Sequence, residues 1–429
     1  VTENGRIEHA SLTDVGLKRS HNQDSFAVLL ASDEDHWRKQ GHVFLVADGM
    51  GAHAVGELAS ELAASIIPLT YHKYTEGSAA EALTKAFTEA NASIHARGQQ
   101  NREFQGMGTT GTMLVLRPEG AWVGHVGDSR VYRLRDGKIE QLSFDHSLLW
   151  EMAKRLKVKP ENLQGVPSNV IIRSLGPDAD VQPDVEGPHP LRDGDAFLLC
   201  SDGLSGQVSD REIGVIANLL PADEACRFLI DLANLRGGPD NITVVIARVR
   251  GLASPVAAVP AAERRRWYSF IPWPLMTLVV GVAFAIQAVA TSADQARSGL
   301  WFFLLASVCI LIGLGGLALH AFRERLQPER DKKSTTPRVY RAESATPERS
   351  MLDRMKNAEG ALTQLLRERE WETDWETHET HQQRGDAFLA QGDLASAFRE
   401  HCLALRPLME VLQRRRQKGE GFQTFWEKE

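Results

Sequence analysis

Val43-Phe44-Leu45-Val46-Ala47-Asp48-Gly49-Met50-Gly51 is the stretch that decides how this chain is read. A short apolar run, Val43–Ala47, has the composition of a buried strand. An acid and two glycines follow it, where the chain can turn sharply. Three further aspartates stand in similar places: Asp128 in Val123–Arg130, Asp202 in Ala196–Gly203 and Asp240 in Gly237–Ile246. Any one of them, read alone, is most simply a turn residue. Acids far apart in sequence, each delivered from a strand end, suggest instead a hard-cation site assembled by folding. A two-metal site is one chemistry that gathers so much carboxylate. Without cations, each pair would repel by about 4 kcal/mol at 4 Å and an effective dielectric of 20.

The surrounding segments sharpen this reading. Arg19-Ser20-His21-Asn22-Gln23-Asp24 precedes the first acid turn. Gly108-Thr109-Thr110-Gly111 leads into the strand-like run Thr112–Leu116, and Ile172-Arg173-Ser174-Leu175-Gly176 lies before Asp202. In this order and spacing, residues 1–250 resemble the metal-dependent Ser/Thr protein phosphatases (the type-2C family) in their bacterial form. The fold this resemblance implies is α+β, a four-layer α–β–β–α sandwich of two antiparallel sheets. Its implied activity is hydrolysis of phosphoserine and phosphothreonine on proteins by a hydroxide bridging two Mn2+ or Mg2+ ions, opposing a bacterial Ser/Thr kinase.

The resemblance also implies site roles. Asp48 would bridge the ions, and the Gly49 carbonyl would ligate one of them. Asp202 and Asp240 would hold the other. Gln23 and Asp24 would act through waters on the metals, and Asn241 would orient its neighbours. Arg19 would grip the substrate phosphate, where its planar fork matches the oxygens. Two departures stand out. Animal members carry a histidine after the Asp-Gly pair, and here that position is Met50. An aspartate usual four residues after Asp202 is Gly206. It would help Asp128 hold a third ion, so a third site stays open, and Asp128 has the alternative of merely tying its turn. The stretch 146–175 corresponds to the family's flap beside the active site. Trp150, Lys154, Arg155 and Lys157 would give it a basic face for acidic phosphoproteins, or simply a solvated one.

Elementary chemistry agrees with the implied reaction. A phosphate ester repels an attacking hydroxide until its charge is neutralised, which two cations do while acidifying a water. Oxygen-only ligands favour Mg2+ or Mn2+ over zinc. No G-x-S-x-G or Cys-x5-Arg loop offers a covalent route.

Composition sets wider bounds. With 429 residues the chain exceeds one ordinary domain, and a net charge of −7 argues against nucleic acid as a partner. Its four cysteines, Cys200, Cys226, Cys309 and Cys402, have no metal-ligand spacing and imply no disulfide framework. Val1–Ala10 shows no apolar core of an export signal.

Along the chain, Phe26–Leu30, Val43–Ala47, Thr112–Leu116, Trp122–Val126, Val131–Leu134, Ala196–Cys200 and Thr243–Val249 read as strands. Glu57–Leu69, Ala79–Arg97, Leu148–Leu156 and Asp223–Leu235 read as helices. Asp136-Gly137 marks a hairpin. Residues 251–266 form a linker ending in Arg264-Arg265-Arg266. Within 267–322, two long apolar runs, at about residues 270–290 and 299–319, have the length that crosses a bilayer core of about 30 Å. Flanking arginines would then place both chain ends in the cytoplasm. The expectation is a two-pass hairpin in the inner (plasma) membrane. Residues 327–349 are charged and proline-containing and predict disorder. Residues 350–429 predict a small all-α module, whose Gln383–Leu405 resembles one tetratricopeptide helix pair and would bind a protein partner or be a plain hairpin. Two other readings remain beside the enzyme: a membrane scaffold that binds phosphoproteins without turnover, and a transducer sensing through the hairpin.

Overall fold

The computed structural model describes residues 7–51, 55–74, 77–163, 165–167, 169–251, 273–292, 301, 303–312, 314–315 and 337–416. The run quoted above forms the strand β3 (His42–Met50), flanked by β1 (Ile7–Asp14), β2 (Asp24–Leu29) and the short helix α1 (Glu34–Lys39) earlier in the chain. After it come α2 (Val55–Lys73), α3 (Ala79–Gln100), β4 (Gly108–Thr109), β5 (Gly111–Arg117), β6 (Gly120–Val126), β7 (Arg130–Arg135), β8 (Lys138–Gln141) and α4 (Leu148–Leu156). The series continues with β9 (Asp184–His189), β10 (Ala196–Cys200), α5 (Asp202–Ser205), α6 (Asp210–Leu219), α7 (Ala222–Leu235), β11 (Ile242–Val249) and β12 (Arg341–Ser344).

Two antiparallel sheets result. One runs β1-β11-β10-β7-β8-β12, the other β2-β3-β5-β6-β9 with β4 paired to β3. Period-two alternation divides each strand between two cores. From β3, Phe44 and Val46 meet Phe197 and Leu199 of β10 and Val245 and Ala247 of β11 between the sheets. The alternate residues Val43, Leu45 and Ala47 face Ala59, Ala63, Leu83 and Phe87 on α2 and α3. Leu198, Cys200, Val244 and Ile246 face α6 and α7 in the same way. The four-layer expectation is thus met. Each such fully buried Phe, Leu or Val contributes about 1.5–3 kcal/mol. The β7–β8 turn has Asp136 at φ 51 and Gly137 at φ 69, the left-handed pair that a two-residue hairpin requires.

Several elements differ from the sequence reading. The edge strands β1 and β9 and the helix α6 are additional to it. Within the stretch expected to be disordered, β12 pairs with β8 in register from Arg341↔Gln141 to Ser344↔Lys138. The physical reason is that β8 would otherwise leave a row of backbone groups open at a sheet edge. Residues 327–336 of that stretch, the linker 251–266 (except Gly251) and the tail 417–429 lie outside the described residues.

The C-terminal part forms helices over Arg349–Glu368, Trp375–Ala390 and Leu394–Arg416. Gly385 lets the last two helices close on each other, since a Cβ there would stand 2.8 Å from the His401 ring. These helices do not stand apart from the sandwich. Met351, Leu352, Leu362, Phe398, Leu405 and Leu408 share one buried core with Ile213, Ile216 and Leu229 of α6 and α7.

The membrane expectation is corrected. Among the described residues, no helix is long and apolar enough to cross a membrane. The first run forms the helix Trp273–Ser292. The two-pass hairpin, and the inner-membrane location drawn from it, therefore do not hold.

Candidate active site

β2 and β3 bring the first two acids together, because Asp24 is the registered partner of Asp48. Asp48 is held from behind. Its N–H donates to Thr110 Oγ1 at 2.8 Å, and its carbonyl accepts from the Thr110 N–H at 2.8 Å and from Thr109 Oγ1 at 2.9 Å. Gly49 follows, its N–H donating to the Gln23 carbonyl at 3.0 Å. Only glycine fits here, as a Cβ would lie 2.1 Å from the Gly56 carbonyl oxygen.

The other sheet supplies Asp202 from the end of β10, Asp240 and Asn241 from the turn before β11, and Asp128 from the turn before β7. Gly203 lets the two turns touch, since a Cβ on it would stand 1.9 Å from the Asn241 carbonyl oxygen. Asn241 ties three segments at once. Its Oδ1 accepts from the Gln23 N–H at 2.8 Å, and its Nδ2 donates to the carbonyls of Val15 at 2.8 Å and His21 at 3.0 Å. Asp24 Oδ2 accepts from Ser201 Oγ and Thr243 Oγ1, both at 2.7 Å. Arg19 donates to Asp240 Oδ2 at 2.8 Å and stays half exposed.

Electrostatics mark the cluster as strained. Burial, opposed by the Ser201 and Thr243 hydroxyls, pushes the Asp24 carboxyl up to about 7, and the charges of Asp202 and Asp240 add to it. Asp48 is pushed well above the carboxylate range by burial and by Asp24, Asp202, Asp128 and Asp240. Asp202 rises through burial and the Asp240 charge, against a hydrogen bond with Asp48. Asp128 rises through burial and the charges of Asp202 and Asp145. Three buried oxygens, Asp24 Oδ1, Asp128 Oδ1 and Asp202 Oδ1, have no hydrogen-bond partner. Such atoms are costly unless something positive meets them. Among the described residues, no three His, Cys, Asp or Glu side chains already converge in a ligating group. The donor set is oxygen-only, which suits hard cations.

Strand register and hydrogen bonds link Arg19, Gln23, Asp24, Asp48, Gly49, Asp202, Asp240 and Asn241 as neighbours, and the Asp128 charge acts on Asp48. Sequence reasoning missed Ser201 and Thr243, and gave Thr109 and Thr110 no role beyond their motif. Ser201 and Thr243 carried one signal, position, as small hydroxyl residues within two places of Asp202 and Asn241 at strand ends. Gly206 ends α5, its N–H donating to the Asp202 carbonyl at 2.6 Å. In the flap, Lys154, Arg155 and Lys157 are exposed, whereas Trp150 is 6% exposed and belongs to the interior.

The flap is sewn to the acids at both ends. The His146 N–H donates to the Gly127 carbonyl at 2.7 Å, and the Gly127 N–H donates to His146 Nδ1 at 3.0 Å, next to Asp128. Leu175 pairs with Thr109, next to the Asp48 anchor.

Comparison with known proteins follows the same boundaries. Residues 18–234 match the family model described as Protein phosphatase 2C. The protein phosphatase PhpP of Streptococcus pneumoniae is 35% identical over 247 residues, covering 56% of this chain and 96% of its own. The serine/threonine protein phosphatase PstP of Mycobacterium tuberculosis is 34% identical over 246 residues, 57% of this chain and 45% of that one. A crystal structure of the M. tuberculosis phosphatase PstP/Ppp superimposes with a TM-score of 0.51 at 34% identity, covering 57% of this chain and 99% of that one. A Streptococcus agalactiae serine/threonine phosphatase structure gives a TM-score of 0.50 at 32% identity, with 57% and 100% covered.

Proposed function

Since this chain belongs to the protein phosphatase 2C family, we propose that it is a protein serine/threonine phosphatase that hydrolyses phosphoserine and phosphothreonine and opposes a bacterial Ser/Thr kinase. The observation that carries the reading is the gathering of Asp24, Asp48, Asp128, Asp202 and Asp240 with three orphaned carboxylate oxygens. The cofactors are two divalent ions, Mn2+ or Mg2+. Asp48 and the Gly49 carbonyl would hold one side of the pair, Asp202 and Asp240 the other, with Asp24 and Gln23 acting through intervening waters. When bound, the ions neutralise the phosphoryl oxygens and acidify a water.

The chain's own residues do the rest. Arg19, half exposed beside Asp240, receives the phosphate with two parallel N–H donors. The Thr109–Thr110 hydroxyls and the Asn241 side chain keep the Asp48 and Asp240 turns from relaxing apart. Ser201 and Thr243 hold Asp24 through Oδ2 and leave Oδ1 without a hydrogen-bond partner. Gly127 ties the turn to the flap, and Asp128 beside it is the candidate for a third ion, for which Gly206 supplies no side chain.

The test is phosphate release from a phosphothreonine peptide by the full chain, with Mn2+ or Mg2+ and then with EDTA. Metal-dependent release, absent from Asp48→Ala, is expected. A folded chain inactive with both ions would sink the enzyme reading in favour of a phosphoprotein-binding scaffold.

A further inference from the structure

Outside the span shared with known phosphatases, one segment reaches back to the catalytic sandwich. β12 extends the β8 edge, continued by Tyr340 N–H donating to the Gln141 carbonyl at 2.9 Å and Ala345 N–H to the Gly137 carbonyl at 2.8 Å. At the start of this strand two side chains reach over the sandwich, and one of them, Arg341, meets the flap. The Tyr340 ring lies 5.5 Å from that of Phe144, and its hydroxyl donates to Glu186. Arg341 lies over the Trp150 ring at 5.8 Å, pairs with Asp210 at 3.3 Å and also meets Glu161, just past α4.

Arg341 completes an arrangement that leads to the site. Arg130 lies 5.9 Å from the same Trp150 ring, so two guanidiniums contact one indole. Arg130 also shares Asp210 with Arg341, at 3.3 Å, and binds Asp145 at 2.7 Å. Tyr132 donates to Asp210 at 2.8 Å. Arg130 stands two residues from Asp128, and Asp145 adjoins His146, the flap's anchor on Gly127. A cation on an indole face is worth about 0.5–2 kcal/mol depending on desolvation, and Trp150 is nearly buried.

We propose that Tyr340–Ser344 is an intramolecular strap and that Arg341 is a positioning residue for the phosphatase site. It holds α4 through Trp150 and steadies the Asp210–Arg130–Asp145 chain beside Asp128. The strap therefore tunes recognition of protein substrates, which reach past the flap, more than the reaction of a small aryl phosphate. The tuning of substrate recognition rests on the phosphatase reading, while the strap contact does not.

The experiment compares full-length wild type with Arg341→Ala and Arg341→Lys. Hydrogen exchange at the α4 amides is expected to quicken about five- to tenfold in Arg341→Ala. KM for a phosphothreonine peptide should rise by a similar factor, with kcat for p-nitrophenyl phosphate within about twofold. Arg341→Lys keeps a charge for Asp210 and Glu161 but loses the planar stack, so it should recover only part of both. Leu83→Ala, in the opposite helical layer, controls for general destabilisation and should lower Tm without moving the ratio of the two substrates. Unchanged α4 exchange in a folded Arg341→Ala protein would overturn the strap, and equal loss on both substrates would overturn its role in recognition. A wild type without turnover would refute the phosphatase reading alone, because the exchange measurement still decides the strap.

Discussion

Replacing Arg236 by methionine should cost about 3–5 kcal/mol, the range for stranding one member of a buried ion pair. Arg236 and Glu212 are each 2% exposed and meet through bonds of 2.6 and 2.8 Å. A further donor from Arg236 reaches the Gln207 carbonyl at 2.9 Å. Burial alone would raise the Glu212 carboxyl, but the hydrogen bonds and charge of Arg236 outweigh it and leave Glu212 below the ordinary glutamate range. A depressed folded pKa means that the stabilisation is present above the unfolded value, about 4.3, and is lost as pH falls through the folded one. In Arg236→Met most of that acid-labile part disappears, because only the Ser209 hydrogen bonds then oppose the burial of Glu212. Urea unfolding of the full chain at pH 7.5 measures the loss, as a midpoint lower by about 1–2 M for a slope of 2–3 kcal/mol/M. Glu212 also closes a capping box with Ser209, which glutamine can keep. The double variant Glu212→Gln/Arg236→Met should therefore regain about 2 kcal/mol over the single one. Turnover should fall as well, since Arg236 immediately precedes the glycine turn that delivers Asp240. A loss below about 1 kcal/mol, as for a surface pair, would refute the reasoning.

Three more outcomes are expected. Asn241→Ala removes three hydrogen bonds at a buried position and should cost about 2–4 kcal/mol, with a parallel fall in metal-dependent phosphate release; thermal melts and turnover read both. Gly203→Ala, whose Cβ would stand 1.9 Å from the Asn241 oxygen, should cost about 1–3 kcal/mol and abolish turnover, and an active variant of normal Tm would contradict the tight-turn account. Burial, reinforced by His146, pushes His125 down to about 3, while the unfolded imidazole takes its proton near 6.5. The unfolded state thus binds more protons between these values, and stability should fall by about 1.4 kcal/mol per pH unit from 6.5 downwards. Thermal melts against pH should show that slope reduced in His125→Gln.

Much of this protein is local information. The alternation in β3, β10 and β11, the Asp136-Gly137 hairpin and the acids at strand ends are legible because side-chain period and turn chemistry act over a few residues. The same holds for Arg19, Gln23, Asp24, Asp48, Gly49, Asp128, Asp202, Asp240 and Asn241 as candidates, though only their order and spacing set them apart from ordinary turns. Folding alone decided which partner each residue meets. Asp24 faces Asp48 through strand register, Ser201 and Thr243 reach Asp24 from the other sheet, and Arg19 turns to Asp240. The two apolar runs after residue 266 illustrate the limit from another side, since hydropathy reports that a segment avoids water and not what covers it. Most of all, β12 was legible only as a charged, proline-flanked stretch. Its place on β8 depends on backbone donors and acceptors that every sequence carries alike, and on Trp150 and Asp210, which come within reach of Arg341 only when the sandwich has formed.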